Sequence, residues 1–323
     1  MTSVRTSHLA VAALLLTAIF PACGPNPPTG GQGGSGGQGG AGGSAGTSGS
    51  AGTGGQGGPV AVPGVACGPS TTYNLNLKGG APAADVPGSV VVAYPCDKPA
   101  GTPATFVLNL HGTMPTEGGK FYQHVYFGAY KHVNEKNFIV ASPKAVTSQW
   151  ENPAAGTDRA HLFDVIRWVK DNLGGTGKFD IRNMWVVGHS WGSVFTNNFV
   201  CDANLAIPAA GAVLMSGAGL PPCADRISVL ATQGENDIPG LGVPDQTAIA
   251  AAHGCDAQRT YDILYPRPDG TEGRNVVTEW PNCDAKWVHK NYVMMGKGHG
   301  FSPVDWPDDL MLNDMVAAIL HTR

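Results

Sequence analysis

Charge is scarce in this chain of 323 residues: Asp, Glu, Lys and Arg together make up 14%, and none occurs between Arg5 and Lys78. The formal net charge is -4 and no run of Lys or Arg appears, so there is no electrostatic footprint for nucleic acid. The patterns C-x-x-C and H-E-x-x-H are missing as well, which removes the usual spacings of a zinc site. The glycines around position 190 form neither G-x-G-x-x-G nor G-x-x-x-x-G-K-[ST], so no cofactor is expected there. The apolar run 9–20 is too short to span a bilayer as a helix.

That run has the layout of an export signal. Arg5 precedes it, and Cys23 follows the small residue Ala22, so residues 1–22 are expected to be removed on export. The sequence around Cys23 resembles a bacterial lipoprotein signal, in which the cysteine is lipidated and becomes the new N-terminus. The resemblance implies a membrane anchor through Cys23; ordinary cleavage nearby, giving a secreted protein, is the alternative. Residues 24–64 are mostly Gly, Ser, Thr, Ala, Gln and Pro, too poor in apolar side chains to offset the entropy of ordering them. We therefore expect 23–66 to be a flexible tether with a reach of roughly 30 to 35 Å. A single domain, most simply monomeric, is expected over 67–323.

The chain has 7 cysteines. With Cys23 set aside the count is even, which in an exported chain points to three disulfides and leaves fifteen pairings open. Neighbours in sequence form the simplest set: Cys67 with Cys96, Cys201 with Cys223, and Cys255 with Cys283.

Apolar, β-branched runs at 73–77, 89–94, 105–110, 137–143, 184–188, 211–217, 227–234 and 292–298 read as strands. The clearest helix is 161–174, with Leu162, Val165, Ile166 and Val169 at helical spacing, Thr157 or Asp158 to cap its start and Gly174 to end it. A second helix over 306–323 would pack Leu310, Leu312, Met315 and Ile319. Early strands suited to hairpins, followed by strands alternating with helices, predict an α/β domain whose mostly parallel sheet is covered on both faces. Ligand sites in such sheets form beyond the carboxyl ends of the strands.

One segment in that position carries chemistry. In WVVGHSWGS (185–193), a buried strand runs into Gly188, Ser190 and Gly192, the G-x-S-x-G spacing of a serine lifted from the sheet on a tight strand-to-helix turn. In a chain with 46 glycines this pattern also arises by chance, so partners must decide. An acyl-transfer serine needs two N–H donors for the developing oxyanion, and the backbones of Trp191 and Thr113, the latter just after LNLHG, are the candidates. A base oriented by an acid is needed too. Asp237, in the turn after 227–234, is better placed than Glu235, although turns collect such residues for local hydrogen bonds. His299, between two glycines after the last strand, is the proton carrier. His111 is read as a residue that stiffens its loop.

The segments LNLHGT, SQWENP, FDIRNMWVVGHSWGS, TQGENDIPG and NCDAKWVHKNYVMMGKGHGF together resemble the secreted esterases that include polyhydroxybutyrate depolymerases and feruloyl esterases. The resemblance implies an α/β-hydrolase fold, with Ser190 as nucleophile, Asp237 as acid and His299 as base. Cys255 and Cys283 resemble a cysteine pair of that family. It also implies hydrolysis of an ester outside the cell, in a polyester or an acylated polysaccharide fragment. Trp150 and Trp191 are candidates to border the substrate cleft, and Trp280 and Trp287 could do likewise. A serine peptidase of the same fold and a surface binding module without turnover are the rival readings.

Overall fold

The apolar stretches 138–141, 184–187 and 211–215 become central strands of the sheet, and the mixed pattern of 259–266 becomes an edge. In the computed structural model, residues 58–322 are described except 84–85, 87, 114–126, 148, 152–155, 218, 239–241, 268, 285 and 300–309. All of them fall in the unit Thr53–Arg323. In chain order the elements are β1 (Leu75–Asn76), β2 (Ser89–Ala93), β3 (Pro103–Leu110), α1 (Val133–Lys136), β4 (Phe138–Pro143), α2 (Thr157–Leu173) and β5 (Asp180–His189). There follow α3 (Trp191–Phe199), β6 (Ala209–Met215), β7 (Ser228–Gly234), α4 (Thr247–Ala252), β8 (Arg259–Pro266), β9 (Glu272–Trp280), β10 (His289–Met294) and α5 (Leu310–His321).

The strands join in the order β1-β2-β4-β3-β5-β6-β7-β10-β9-β8. The six central strands, from β4 to β10, are parallel, while β1, β2, β9 and β8 pair antiparallel at the two sides. Because successive side chains alternate across a strand, each parallel strand feeds two cores. Val186, Leu108, Ile139 and Leu214 pack on one face with Leu162, Val165, Ile166 and Val169 of α2 and Phe195 and Phe199 of α3. Trp185, Val187, Val107 and Val213 pack on the other with Leu312, Met315, Val316 and Ile319 of α5. Each such side chain stabilises the fold by roughly 1.5 to 3 kcal/mol on the area scale. The result is an α/β-hydrolase-like fold, the class the sequence predicts. The side chain of Leu310 lies outside the described residues.

Four features differ from expectation or were left open by it. The hairpin β8–β9 is absent from the predicted strands, because inward positions of β9 include the polar Asn275 and Glu279 and the apolar alternation is broken. The folded domain takes in residues before 67: Val60, Val62 and Val65 are buried, the Tyr94 hydroxyl joins Val62 N–H to the Val65 carbonyl, and Val60 N–H bonds Lys98 O. Those three valines supply the apolar area that the rest of the tether lacks. Asp158 does not cap α2. It is fully buried and its two oxygens accept the N–H groups of Val146 and Glu151, while Glu151 Oε2 accepts Thr157 N–H at the helix start. Finally, of the fifteen pairings, the cysteines adopt the one joining sequence neighbours: Cys67–Cys96, Cys201–Cys223 and Cys255–Cys283.

Among the described residues, no helix is long and apolar enough to cross a membrane. The expected signal, Cys23 and most of the tether lie outside the described residues.

Candidate active site

The turn from β5 into α3 is built as the glycine spacing requires. A Cβ on Gly188 would collide with the Gly192 carbonyl and Thr196 Oγ1, and one on Gly192 with the carbonyls of Leu110 and His111. Only glycine lets the helix start this close to the strand. Ser190 sits at the apex with φ 52 and ψ -120, a conformation that costs an L-residue about 1 to 3 kcal/mol and is held by its surroundings. Its N–H bonds Met215 O at the end of β6 (2.8 Å), and its carbonyl accepts the N–H groups of Ser193 and Val194, which begins the helix.

Loops from two more strands reach Ser190. Nε2 of His299, after β10, lies 2.7 Å from Ser190 Oγ, and its Nδ1 lies 2.6 Å from Oδ1 of Asp237, after β7. A carboxylate only accepts, so Nδ1 carries the ring proton and Nε2 is free to accept the serine hydroxyl. The Asp237 side chain is 0% exposed and that of His299 26%. Burial raises the Asp237 pKa, but hydrogen bonds from Ser216, Ile238 N–H and His299 outweigh it and hold the carboxyl below its usual range. The group is an anion at neutral pH.

Residues that the sequence did not single out brace these loops. Ser216 Oγ donates to Asp237 Oδ2 (2.6 Å). His189 Nε2 donates to the His299 carbonyl (3.0 Å). Burial pushes the His189 pKa down to about 4, against the hydrogen bond to that carbonyl, so its ring is neutral. Glu235, the alternative acid, points elsewhere: Oε2 accepts Gly296 N–H at 2.8 Å and so pins the loop that leads to His299. The one signal for His189 in the sequence was its place inside the G-x-S-x-G motif.

On the opposite side of Ser190, His111 stiffens its loop as expected. Its Nε2 accepts Ala145 N–H, so Nδ1 is the protonated nitrogen and donates to the Gly112 carbonyl. A Cβ on Gly112 would lie 3.1 Å from the Cβ of Ser190, which places the adjoining Thr113 backbone beside the serine. Trp191 opens α3, so its N–H is one of the first-turn donors left over by the helix ladder. The residue is 40% exposed, and its ring is fixed at one end by Nε1 donating to Trp150 O.

Trp150 itself corrects an expectation. It is 1% exposed, packs on His111 and Phe195, and donates from Nε1 to His111 O (2.7 Å), so it supports the loop and has no face for substrate. Trp280 and Trp287 also lie away from the site. Trp280 pairs with His289 at the start of β10 and Trp287 stacks on His253, both at the end of the sheet opposite His299.

A positive-φ serine on a strand-to-helix turn, in this sheet order, is the arrangement of an α/β-hydrolase-like fold. No family model matches the chain, and no curated protein does. Among solved structures it is similar to a lidless α/β serine hydrolase from Xanthomonas campestris (15% identity, 72% of this chain and 87% of that one, TM-score 0.37). It is also similar to a puromycin hydrolase (12% identity, 72% of this chain, TM-score 0.42) and to a PNB esterase (14% identity, 51% of this chain, TM-score 0.34). The matches span 37% of the puromycin hydrolase and 53% of the esterase. At such identities and scores these likenesses carry no argument, and the fold assignment rests on the strand order and the turn at Ser190.

Proposed function

We propose that this chain hydrolyses carboxylic esters outside the cell through an acyl-enzyme on Ser190. The observation that carries the reading is the relay from Ser190 Oγ through His299 to Asp237, at 2.7 and 2.6 Å, on a serine with φ 52. Ser190 Oγ attacks the ester carbonyl as its proton passes to His299 Nε2, and Asp237 steadies the imidazolium. The N–H groups of Trp191 and Thr113 hold the oxyanion, each such donor being worth about 3 to 4 kcal/mol. The C–O bond to the alcohol breaks, and the alcohol leaves with the proton from His299. Water then attacks the acyl-serine, gives its proton to His299, and the free acid departs as Ser190 recovers its own.

The exposed ring of Trp191 beside Ser190 is the wall offered to an acyl or alcohol group. A polyester or an acylated polysaccharide fragment suits an enzyme exported by residues 1–22, carried on the tether and anchored through Cys23. Measuring kcat/KM for hydroxybutyrate oligomers, methyl ferulate, an acetylated sugar and a matched peptide amide tests this. Preference for one of the esters is expected. Preference for the amide would replace the esterase with a peptidase, and binding without any turnover would leave a binding module.

A further inference from the structure

We propose that Ser216, just past the end of β6, is a positioning residue: its hydroxyl fixes the carboxylate that orients His299. This rests on the reading of Ser190, His299 and Asp237 given above. Five non-glycine residues have positive φ among those described: Asp97, Asn137, Asn282, Ser190 and Ser216. Asp and Asn tolerate that region through local hydrogen bonds. The two serines lack that excuse, and both belong to the site. Strain kept at a buried residue marks a constraint imposed by its surroundings.

The constraint is visible. Ser216 is 1% exposed, and its hydroxyl lies 2.6 Å from Asp237 Oδ2. A carboxylate only accepts, so the single hydroxyl proton points at Asp237. Oδ1 is held separately, by Ile238 N–H at 2.6 Å and His299 at 2.6 Å, so Ser216 is what stops the carboxylate from turning about its own bond. The strand end is clamped in turn. Ser216 N–H bonds Thr232 O (2.7 Å), Met215 O accepts the Ser190 N–H (2.8 Å), and a Cβ on Gly217 would collide with Ser193 in the first turn of α3. Residues 215–217 therefore touch both the nucleophile turn and the acid, and they set the distance His299 must bridge.

The test is a double-mutant cycle on a short aryl ester. Ser216→Ala is expected to lower kcat about 10- to 100-fold, the range of a hydrogen bond to a charged group, and to leave KM within about twofold. In the Asp237→Ala background the same substitution should cost less than about twofold, because no carboxylate is left to hold. Ser216→Gly accepts φ 47 without strain yet also lacks the hydroxyl, so it should fold and lose kcat as Ser216→Ala does. Wild-type kcat in Ser216→Gly, or equal losses in both Asp237 backgrounds, would overturn the proposal. Ser190→Ala run alongside separates the two claims. Undiminished turnover there overturns the nucleophile reading and this one with it, whereas additive Ser216 and Asp237 losses with an inactive Ser190→Ala overturn this one alone.

Discussion

His189 donates from Nε2 to the carbonyl of His299 over 3.0 Å, so the residue before Ser190 holds the residue whose ring lies 2.7 Å from the Ser190 hydroxyl. Replacing it should loosen the base without touching the chemistry directly. His189→Ala is expected to lower kcat about tenfold, with His189→Gln, which restores a donor, losing less. Stopped-flow or steady-state kinetics on an aryl ester reads this. Identical losses in both variants would mean that packing, and not the hydrogen bond, is what His189 provides.

The turn at Ser190 separates activity from stability. Ser190→Ala should abolish turnover while leaving the denaturation midpoint close to wild type. Ser190→Gly should be just as inactive yet more stable by about 1 kcal/mol, because glycine carries positive φ without strain. Urea unfolding of the three proteins decides it, and a less stable glycine variant would show that the turn is not strained.

Acid should unfold this domain through its histidines. His161, His189 and His289 are buried, and desolvation pushes each of their pKa values down to about 4. The same rings titrate near 6.5 in the unfolded chain, to within about a unit. Between those values the unfolded state binds more protons, so stability present above pH ~6.5 is lost as pH falls towards ~4, at up to about 4 kcal/mol per pH unit for three rings. Denaturant unfolding at pH 7, 5.5 and 4.5 should show the drop. A flat profile would mean that these rings are protonated in the fold.

Two tryptophans near Ser190 should respond differently. Trp150→Ala removes a buried ring and its hydrogen bond to His111 O, so a loss of about 3 to 5 kcal/mol of stability is expected, with activity falling on every ester alike. Trp191→Ala removes an exposed ring and should raise KM for aromatic esters more than for acetyl esters at little cost to stability. The reverse pattern would assign substrate contact to Trp150.

Attachment is tested by the intact mass of the mature protein. Lipid on Cys23 and release into the aqueous phase by Cys23→Ser are expected. An unmodified N-terminus would remove the anchor and leave export standing.

The central strands were legible because 184–187 and 211–215 are unbroken apolar runs, and the order Ser190, Asp237, His299 was legible because each residue follows a segment that reads as a strand. The β8–β9 hairpin was not, since Asn275 and Glu279 occupy inward positions where alternation would show apolar residues. Trp150 was misread for a different reason. A tryptophan in a polar loop such as SQWENP looks exposed, and only the fold reveals that His111 and Phe195 close over it. Ser216 and His189 gave no periodic signal, because their partners lie 21 and 110 residues away.

The strap formed by Val60, Val62 and Val65 ends on Tyr94 and Lys98, beside the start of β4 and ahead of β3. Ser190, Asp237 and His299 stand at the other end of those parallel strands. The described chain therefore enters its domain at the pole opposite the loops that carry Ser190, Asp237 and His299. An attachment made through the residues before Val60 would thus pull on the domain from the side away from Ser190.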